Sequence, residues 1–384
     1  MIKIAHFLRD DNKFIPDSIW CFENCGLVDN TFFCVGKKLH RLHDSRVNLI
    51  GEERARAIVE KSREYDVVCL HSLYSLPLSI IPLINKSIKV VWYSWGYDIY
   101  MNPKPYSPLL NDIDIYLPET NEILNKIPED VLPIKIRIKK YLIEVFHKKE
   151  ASSLLQDSVE RVDFFAGVFP MEFNILKRKY SYFRADRTSH NYIHPDEFQN
   201  RDLLEPIELT GNNILLGHSA CSEDNHLDVM KKLAGYSCAD SDIICPLSYG
   251  GSKHYVNYVV EKGKYYFGSH FKPILEFLPF DEYTKLQKSC NRFMLGAIRQ
   301  QATCNCLSAI WSGIQLFLYS NSMNYIQYKD FGINVFDVES GVDYSLTKEQ
   351  HLKNRTVIES IYSYRAWKND IDEFVKQLNS NNNE

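Results

Sequence analysis

Short apolar runs alternate with segments of helical periodicity along most of the chain. In the first half, the runs predict strands at 2–8, 31–35, 66–71, 89–93, 114–117 and 161–168. In the second half, they predict strands at 214–217, 242–246, 264–268, 291–296, 315–319 and 333–336. Strands that alternate with helices predict parallel βαβ units, whose ligands lie beyond the carboxyl ends of the strands.

A polar stretch without sustained periodicity, 200–213, separates the two halves. Because 384 residues exceed one typical core, we expect an α/β protein with two Rossmann-like domains that enclose a cleft. The predicted domains are 1–200 and 201–345. The last segment, 346–384, is helical in pattern, and we expect it to pack back on the first domain.

Composition narrows the class of protein. Apolar residues make up 45% and charged residues 24%, as in ordinary globular proteins, and the net charge of −4 argues against a nucleic-acid partner. Ten cysteines without CxxC spacing indicate reduced thiols and a cytoplasmic protein. No run approaches the roughly 20 apolar residues of a membrane span, and the N-terminal run is too short for a signal peptide. We therefore expect a soluble or peripheral protein.

One basic amphipathic segment, 134–149, stands out in this acidic chain. Such a helix can lie on an anionic membrane surface, so it predicts peripheral contact with the inner face of the cytoplasmic membrane. The alternative is a solvated helix whose apolar side packs on the domain.

The stretch 214–228 reads as a buried strand, a small polar turn and a helix. Gly217 permits the turn, and Ser222, Asp224 or Asn225 could cap the helix. Unpaired N–H groups at a helix start attract phosphate, so Gly217, His218 and Ser219 are candidates for binding an anion. An ordinary βα loop without a ligand is the alternative.

Other polar clusters also follow predicted strands of the second half. A turn follows at Tyr249 and Gly250, and a helix start at 279–283 holds Glu282 and Tyr283. In 299–305, Arg299 could pair with phosphate, while Gln300, Gln301 and Asn305 could bond sugar hydroxyls. A surface turn is the alternative for this last stretch.

In the first half, five of the nine residues of 92–100 are aromatic, and they surround one glycine and one aspartate. Aromatic rings stack on sugars, and Asp98 is our first candidate for a general base, with His71 the second. The alternatives are an aromatic core cluster and a structural histidine. No ligand-spaced group predicts a metal site.

Together these motifs resemble the bacterial TDP-N-acetylfucosamine:lipid II N-acetylfucosaminyltransferases, which are 4-alpha-L-fucosyltransferase-like proteins of glycosyltransferase family 56. The resemblance rests on 214–220 with 225–228, on 246–250, on Phe267-Gly268, on 282–283, on 299–301 with Asn305, on 95–100 and on 170–173. It implies a metal-independent GT-B transferase without a cofactor, with the acceptor on the N-terminal domain and the donor on the C-terminal one.

The resemblance also assigns residues to the two substrates. The acceptor-binding residues would be Trp95, Tyr97 and Tyr100. The donor-binding residues would be Gly217, His218, Ser219, Tyr249, Gly250, Glu282, Tyr283, Arg299, Gln300, Gln301 and Asn305. His218 stands where the family often has Asn, and we expect it to distinguish the donor.

The expected reaction is transfer of an N-acetylfucosamine- or fucose-like sugar from a nucleotide diphosphate, dTDP by the resemblance. The acceptor would be a lipid-linked or other cell-surface glycan. A nucleotide-sugar epimerase of the same fold and a non-catalytic nucleotide-sugar or glycan-binding protein are the alternatives.

Overall fold

The structure, a computed structural model, describes residues 1–10, 14–61, 63–100, 108–127, 151–189, 209–236 and 241–380. The chain forms two compact units. The first unit comprises Met1–Asn111, Pro133–Gln199 and Tyr362–Glu384, and the second comprises Asp112–Leu132 and Asn200–Ile361. The chain therefore passes between the units more often than a single break near residue 200 would require.

The first unit contains a seven-stranded parallel sheet. Its order is β3-β2-β1-β4-β5-β6-β7. Ile4, Ala5 and Phe7 are fully buried, as expected for a strand that is covered on both faces. The strands are β1 (Ile2–Leu8), β2 (Val28–Val35), β3 (Val47–Ile50), β4 (Val67–His71), β5 (Lys89–Tyr93), β6 (Phe164–Ala166) and β7 (Asp186–Arg187).

The second unit contains a six-stranded parallel sheet in the order β10-β9-β8-β11-β12-β13. Ile214, Leu215 and Leu216 are fully buried at its centre. The strands are β8 (Asn213–Leu216), β9 (Ile243–Pro246), β10 (Phe271–Ile274), β11 (Cys290–Leu295), β12 (Gln315–Leu318) and β13 (Phe336–Asp337).

Helices connect most of the strands. In chain order they are α1 (Ile15–Glu23), α2 (Glu52–Glu60), α3 (Tyr97–Tyr100), α4 (Pro118–Lys126), α5 (151–160), α6 (Pro170–Lys179), α7 (His226–Leu233), α8 (Lys253–Phe267), α9 (Phe280–Lys288), α10 (Thr303–Trp311), α11 (Met323–Asp330), α12 (Lys348–Tyr362) and α13 (Tyr364–Ser380). Within the described residues, no helix is both long and apolar enough to span a bilayer.

Each sheet has one point at which the strand order reverses. In the first sheet it lies between β1 and β4, and in the second between β8 and β11. Parallel α/β sheets bind ligands beyond the carboxyl ends of the strands at such a switch point. We therefore expect ligand-binding residues on the loops that follow these strands.

The predicted α/β class with two parallel sheets is confirmed, but individual elements differ. The strand predicted at 264–268 is wrong, because these residues end α8 and the strand is β10. The aromatic residues Tyr265, Tyr266 and Phe267 favour strands when isolated. Here the helix continues until Gly268, whose φ of 56° ends it.

Residues 114–117 do not form the predicted strand either. The side chain of Asn225 takes the place of a neighbouring strand: its Nδ2 donates to Ile115 O (3.0 Å) and its Oδ1 accepts from Leu117 N (2.9 Å). Between β4 and β5 the structure has a single 3-10 turn, Ile81–Leu83. The basic segment 134–149 lies outside the described residues.

Candidate functional site

Two loops meet in backbone contact at the carboxyl edge of the second sheet. The N–H of Ala220, after β8, donates to the carbonyl of Tyr249, after β9, at 2.7 Å. A Cβ on Gly251 would lie 2.1 Å from the carbonyl oxygen of Ala220, so only glycine fits this approach. A Cβ on Gly217, which has a φ of 69°, would lie 2.6 Å from His226 Nε2. These glycines allow the loops to pack into one surface.

Asp224 organises the loop that follows β8. Its Oδ2 accepts from the backbone N–H groups of His218 (2.9 Å) and Ser219 (3.2 Å), and its Oδ1 lies 2.9 Å from His218 Nδ1. From the loop after β11, Gln301 Nε2 donates to the same carboxylate. Asp224 thus joins the loops on the two sides of the switch point, and its side chain has no exposed surface.

Two neighbouring histidines lower the pKa of Asp224. Burial alone would raise the pKa of Asp224, but His218, His226 and the backbone N–H donors hold it below its ordinary value. Burial lowers the pKa of His226, and the nearby Asp224 opposes that shift. The result is a buried anion next to a partly exposed imidazole, that of His218.

Two neighbours of Asp224 have structural roles. Asn225 has a φ of 48° and makes no side-chain cap on α7, contrary to one reading of the sequence. Its Nδ2 donates to Gly296 O (2.8 Å), which binds the loops after β8 and β11 together. Asp228 accepts from the N–H groups of Glu119 (2.8 Å) and Thr120 (3.0 Å) and so caps α4.

Arg299, Gln300 and Gln301 lie on the loop before α10. Arg299 Nη1 donates to Gln300 O (2.8 Å), and its Nη2 lies 3.7 Å from Glu223 Oε2. Gln300 Nε2 donates to Thr303 Oγ1 (2.7 Å). Ala302 has a φ of 57° and precedes α10 without a side-chain cap. A guanidinium and an uncapped helix start therefore occupy one loop, and both are groups that favour anion binding.

Four polar atoms in this region are buried without a hydrogen-bond partner among the described residues. They are Arg299 Nε, Glu223 Oε2, Gln301 Oε1 and His226 Nε2. In the described part of the chain, Glu223 Oε2 has only the 3.7 Å ion-pair contact with Arg299 Nη2. Buried polar atoms are almost always paired with protein or with ordered water, so such a group needs an explanation. Together, at the switch point of a parallel sheet, these atoms indicate a ligand site.

The other predicted donor residues divide into two groups. The hydroxyl of Tyr249 donates to His218 O (3.3 Å), and Gly250 has a φ of 90°, so both belong to the surface formed by the loops. Asn305 Nδ2 donates to Tyr283 Oη (3.0 Å), and burial raises the pKa of that phenol. Glu282 is exposed on the first turn of α9 and, within the described part of the chain, makes no hydrogen bond to the cluster.

In the first unit, Asp98 is fully buried and accepts four hydrogen bonds. The donors are Leu73 N (3.0 Å), Trp92 Nε1 (2.7 Å), Ser94 Oγ (2.9 Å) and Trp95 N (3.1 Å). Burial raises the pKa of Asp98, and these donors oppose the rise. This is the arrangement of a carboxylate that holds loops in place, and the role of general base stays a prediction.

His71, the second candidate base, is also buried. Its Nε2 lies 3.0 Å from His6 Nδ1, and its ring stacks on Tyr93 with centroids 5.2 Å apart. His6 Nε2 in turn lies 3.0 Å from Asn30 Oδ1. Burial lowers the pKa of His6 to about 3, although the Asn30 hydrogen bond opposes this. The pair is part of the core of the first unit.

The three aromatic residues predicted to bind the acceptor differ in exposure. Trp95 and Tyr97 are partly exposed; Trp95 stacks on Phe14, and Arg9 donates to the hydroxyl of Tyr97. Tyr100 is 2% exposed, and its hydroxyl donates to Glu172 Oε1 (3.1 Å). The structure therefore does not bring Tyr100 to the surface with the other two.

The sequence did not predict the central role of Asp224 and Glu223 in this cluster. A polar run before a helix usually supplies helix caps, so it does not by itself indicate a ligand site. The available signal was the density of the run, since Ser222-Glu-Asp-Asn-His226 places five polar residues in succession between a buried strand and the helix that follows.

No protein-family model and no curated protein matches the sequence. Solved structures do match over nearly the whole chain. A sucrose-phosphate synthase from Thermosynechococcus elongatus has a TM-score of 0.63 at 9% identity, covering 99% of this chain and 100% of its own. The lipopolysaccharide outer core galactosyltransferase WaaB has a TM-score of 0.60 at 11% identity, covering 98% and 99%.

Anabaena Alr3699/HepE, solved in complex with UDP and glucose, has a TM-score of 0.58 at 10% identity and covers 98% of this chain and 100% of its own. These structures are GT-B glycosyltransferases, and the likeness confirms the predicted GT-B fold. At such identities the likeness concerns the fold alone.

Proposed function

We propose that this chain is a GT-B glycosyltransferase that binds a nucleoside-diphosphate sugar at the switch point of the second sheet. The observation that carries the proposal is a group of buried polar atoms on Arg299, Glu223 and Gln301 that lack a hydrogen-bond partner among the described residues. A diphosphate and the hydroxyls of a ribose or sugar supply the acceptors and donors that such a group lacks. The GT-B fold of the chain supports the same assignment.

The proposed reaction breaks the bond between the sugar's anomeric carbon and the diphosphate oxygen, and the electron pair of that bond stays on the nucleoside diphosphate. A bond from the anomeric carbon to an acceptor hydroxyl oxygen forms, and the hydroxyl proton passes to water. Charge develops on the departing diphosphate, where Arg299 and the N-terminus of α10 would stabilise it. This assistance needs no metal ion, and we propose metal-independent transfer that chelators do not reduce.

For the substrates, the motif resemblance supports an N-acetylfucosamine- or fucose-like sugar on dTDP and a lipid-linked or other cell-surface glycan. We propose that His218 contacts the donor sugar, since its Nδ1 is held by Asp224 at 2.9 Å. Tyr249, Gly250 and Asn305 would complete the donor site. For Asp98 we propose a positioning role, which holds Trp95 beside the acceptor.

The test is calorimetric titration of UDP, dTDP and GDP into the wild type and Arg299→Ala. Loss of a charge-assisted contact should weaken binding of the preferred nucleotide on the order of tenfold or more. Arg54→Ala removes an exposed arginine of the first unit and should leave the affinity unchanged. Equal affinities of all three proteins would refute the donor site.

Measuring turnover distinguishes a transferase from an epimerase and from a non-catalytic binding protein. The donor incubated alone should stay chemically unchanged, and sugar should move only when an acceptor extract is added. An isomerised donor would identify an epimerase, and binding without turnover on any acceptor would identify a non-catalytic protein.

A further inference from the structure

A cavity of about 520 Å³ lies in the first unit at the carboxyl ends of β1 and β2. Its wall includes Leu8 and Val35, the last residues of those strands, and Ser75 from the loop after β4. Since β1 and β4 flank the point at which the strand order reverses, the cavity occupies the ligand position of this sheet.

The cavity is strongly basic. Arg9, Lys38, His40 and Arg41 line it, and Asp10 is the one carboxylate among the lining residues that the structure describes. Apart from His40, these described lining residues carry three positive charges and one negative charge. Within the described residues, Lys38 and Arg41 form no ion pair with a carboxylate. A net charge of this sign and size favours a doubly charged anion over a single carboxylate.

The carboxylate of Asp10 is already hydrogen-bonded to backbone N–H groups. Asp10 Oδ1 accepts from the N–H groups of Arg41 (2.9 Å) and Leu42 (2.6 Å), and Asp10 Oδ2 accepts from that of His40. These bonds hold the pKa of Asp10 below its ordinary value, although burial opposes them. Asp10 therefore fixes the segment that carries His40 and Arg41 and leaves the excess positive charge in place.

Two further observations, at Ser75 and at Arg9, indicate a ligand in the cavity. Ser75 is 5% exposed, and its hydroxyl has no hydrogen-bond partner among the described residues. Arg9 donates to the hydroxyl of Tyr97, and its guanidinium carbon lies 4.8 Å from the centroid of that ring. The cavity thus adjoins one of the aromatic residues predicted to bind the acceptor.

We propose that this cavity binds a phosphate group of the acceptor, which is then a phosphorylated sugar, either free or attached to a lipid through phosphate. A phosphate monoester carries a charge of roughly −1.5 to −2 at pH 7. A diphosphate that joins a sugar to a lipid carries two negative charges, so either form matches the excess positive charge of the lining. Arg9 and Arg41 would hold its oxygens through paired N–H groups, and Lys38 as a point charge. That the phosphate belongs to an acceptor rests on the proposed function.

The test is calorimetric titration of the full chain with inorganic phosphate and with N-acetylglucosamine 1-phosphate. The double variant Lys38→Ala/Arg41→Ala should weaken binding of both probes on the order of tenfold for each cation removed. The control Lys37→Ala/Arg54→Ala removes two exposed cations outside the lining and should bind as the wild type does. Equal losses in both double variants, or no saturable binding to the wild type, would overturn the proposal.

Arg299→Ala separates this site from the donor site. In this variant, the component of the phosphate isotherm that depends on Lys38 and Arg41 should persist, and loss of that component would assign the anion to the second unit and overturn the proposal. Nucleotide titration gives an independent result. If phosphate binding depends on Lys38 and Arg41 while no nucleotide binds, the anion site stands and the proposed transferase fails.

Co-sedimentation with vesicles shows whether the bound phosphate belongs to a lipid-linked sugar or to a free one. Co-sedimentation with neutral vesicles that contain a polyprenyl diphosphate, lost in Lys38→Ala/Arg41→Ala, would assign a lipid-linked acceptor. Binding of the soluble sugar phosphate without such co-sedimentation would assign a free one.

Discussion

Each unit has a buried aspartate at the carboxyl edge of its sheet, and the two are surrounded differently. Asp98 is enclosed by neutral donors, namely two backbone N–H groups, an indole and a hydroxyl. Asp224 accepts hydrogen bonds from two backbone N–H groups and from the side-chain amide of Gln301, and it also lies beside the imidazoles of His218 and His226. Burial dominates for the first and raises its pKa, whereas the histidines lower the pKa of the second.

The contacts of Asp98 form a closed hydrogen-bond network, whereas those of Asp224 adjoin the proposed donor site. Around Asp98 every described oxygen contact is to a donor of the same unit. Around Asp224, neighbouring atoms of Arg299, Glu223 and Gln301 are buried without a hydrogen-bond partner among the described residues. A closed hydrogen-bond network needs no further partner, whereas buried polar atoms without hydrogen bonds need water or a ligand.

The largest effect is expected from Asp98→Ala. It leaves four donors without their acceptor, so the free energy of unfolding should fall by about 3–5 kcal/mol, as when one partner of a buried charged network is removed. Urea unfolding followed by tryptophan fluorescence measures this. The exposed control Asp29→Ala should change the free energy of unfolding by less than about 0.5 kcal/mol.

Asp98→Asn separates folding from catalysis. If Asp98 positions loops, this variant should lose stability, and its remaining turnover should keep the pH profile of the wild type. A folded Asp98→Asn that loses turnover by more than about a thousandfold would restore Asp98 as the base.

The acid response should also differ between the units. The pKa of His6 is lowered to about 3 from 6.5, so the unfolded chain binds more protons once the pH falls below about 6.5. This contribution lowers the stability of the first unit by about 2 kcal/mol between pH 7 and pH 5. In the second unit Asp224 opposes the lowering of the pKa of His226, so the loss should be smaller.

Limited proteolysis at pH 7 and pH 5, with cleavage sites mapped by mass spectrometry, measures this difference. Cleavage at pH 5 should begin in the first unit, and His6→Gln should reduce its pH dependence. Earlier cleavage in the second unit would contradict the comparison.

The smallest effect is expected from Tyr249→Phe. Its hydroxyl makes a 3.3 Å bond to His218 O and the residue is 45% exposed, so water can replace the bond. The free energy of unfolding should change by less than about 0.5 kcal/mol. Nucleotide affinity should fall by about threefold or less, and a tenfold loss in calorimetry would instead place the hydroxyl in direct contact with the donor.

The sequence predicted the parallel α/β architecture because buried strands such as Ile214–Leu216 read as continuous apolar runs. It also predicted the loops that meet at the switch point, since Gly217, Tyr249 and Gln301 follow such strands. It did not predict that Asp224 joins two loops, because Gln301, the partner on the second loop, lies 77 residues away in the chain. It misassigned 264–268 because aromatic residues suit both strands and helices that pack on a core.

Hydrogen exchange with and without the preferred nucleoside diphosphate tests the central claim most directly. Bound nucleotide should slow exchange of backbone amides in 217–220, 249–251 and 299–305 of the second unit. The amides of 72–75 and 94–98, around Asp98, should exchange as before. Protection confined to the first unit, or none at saturating nucleotide, would contradict the assignment of the donor site.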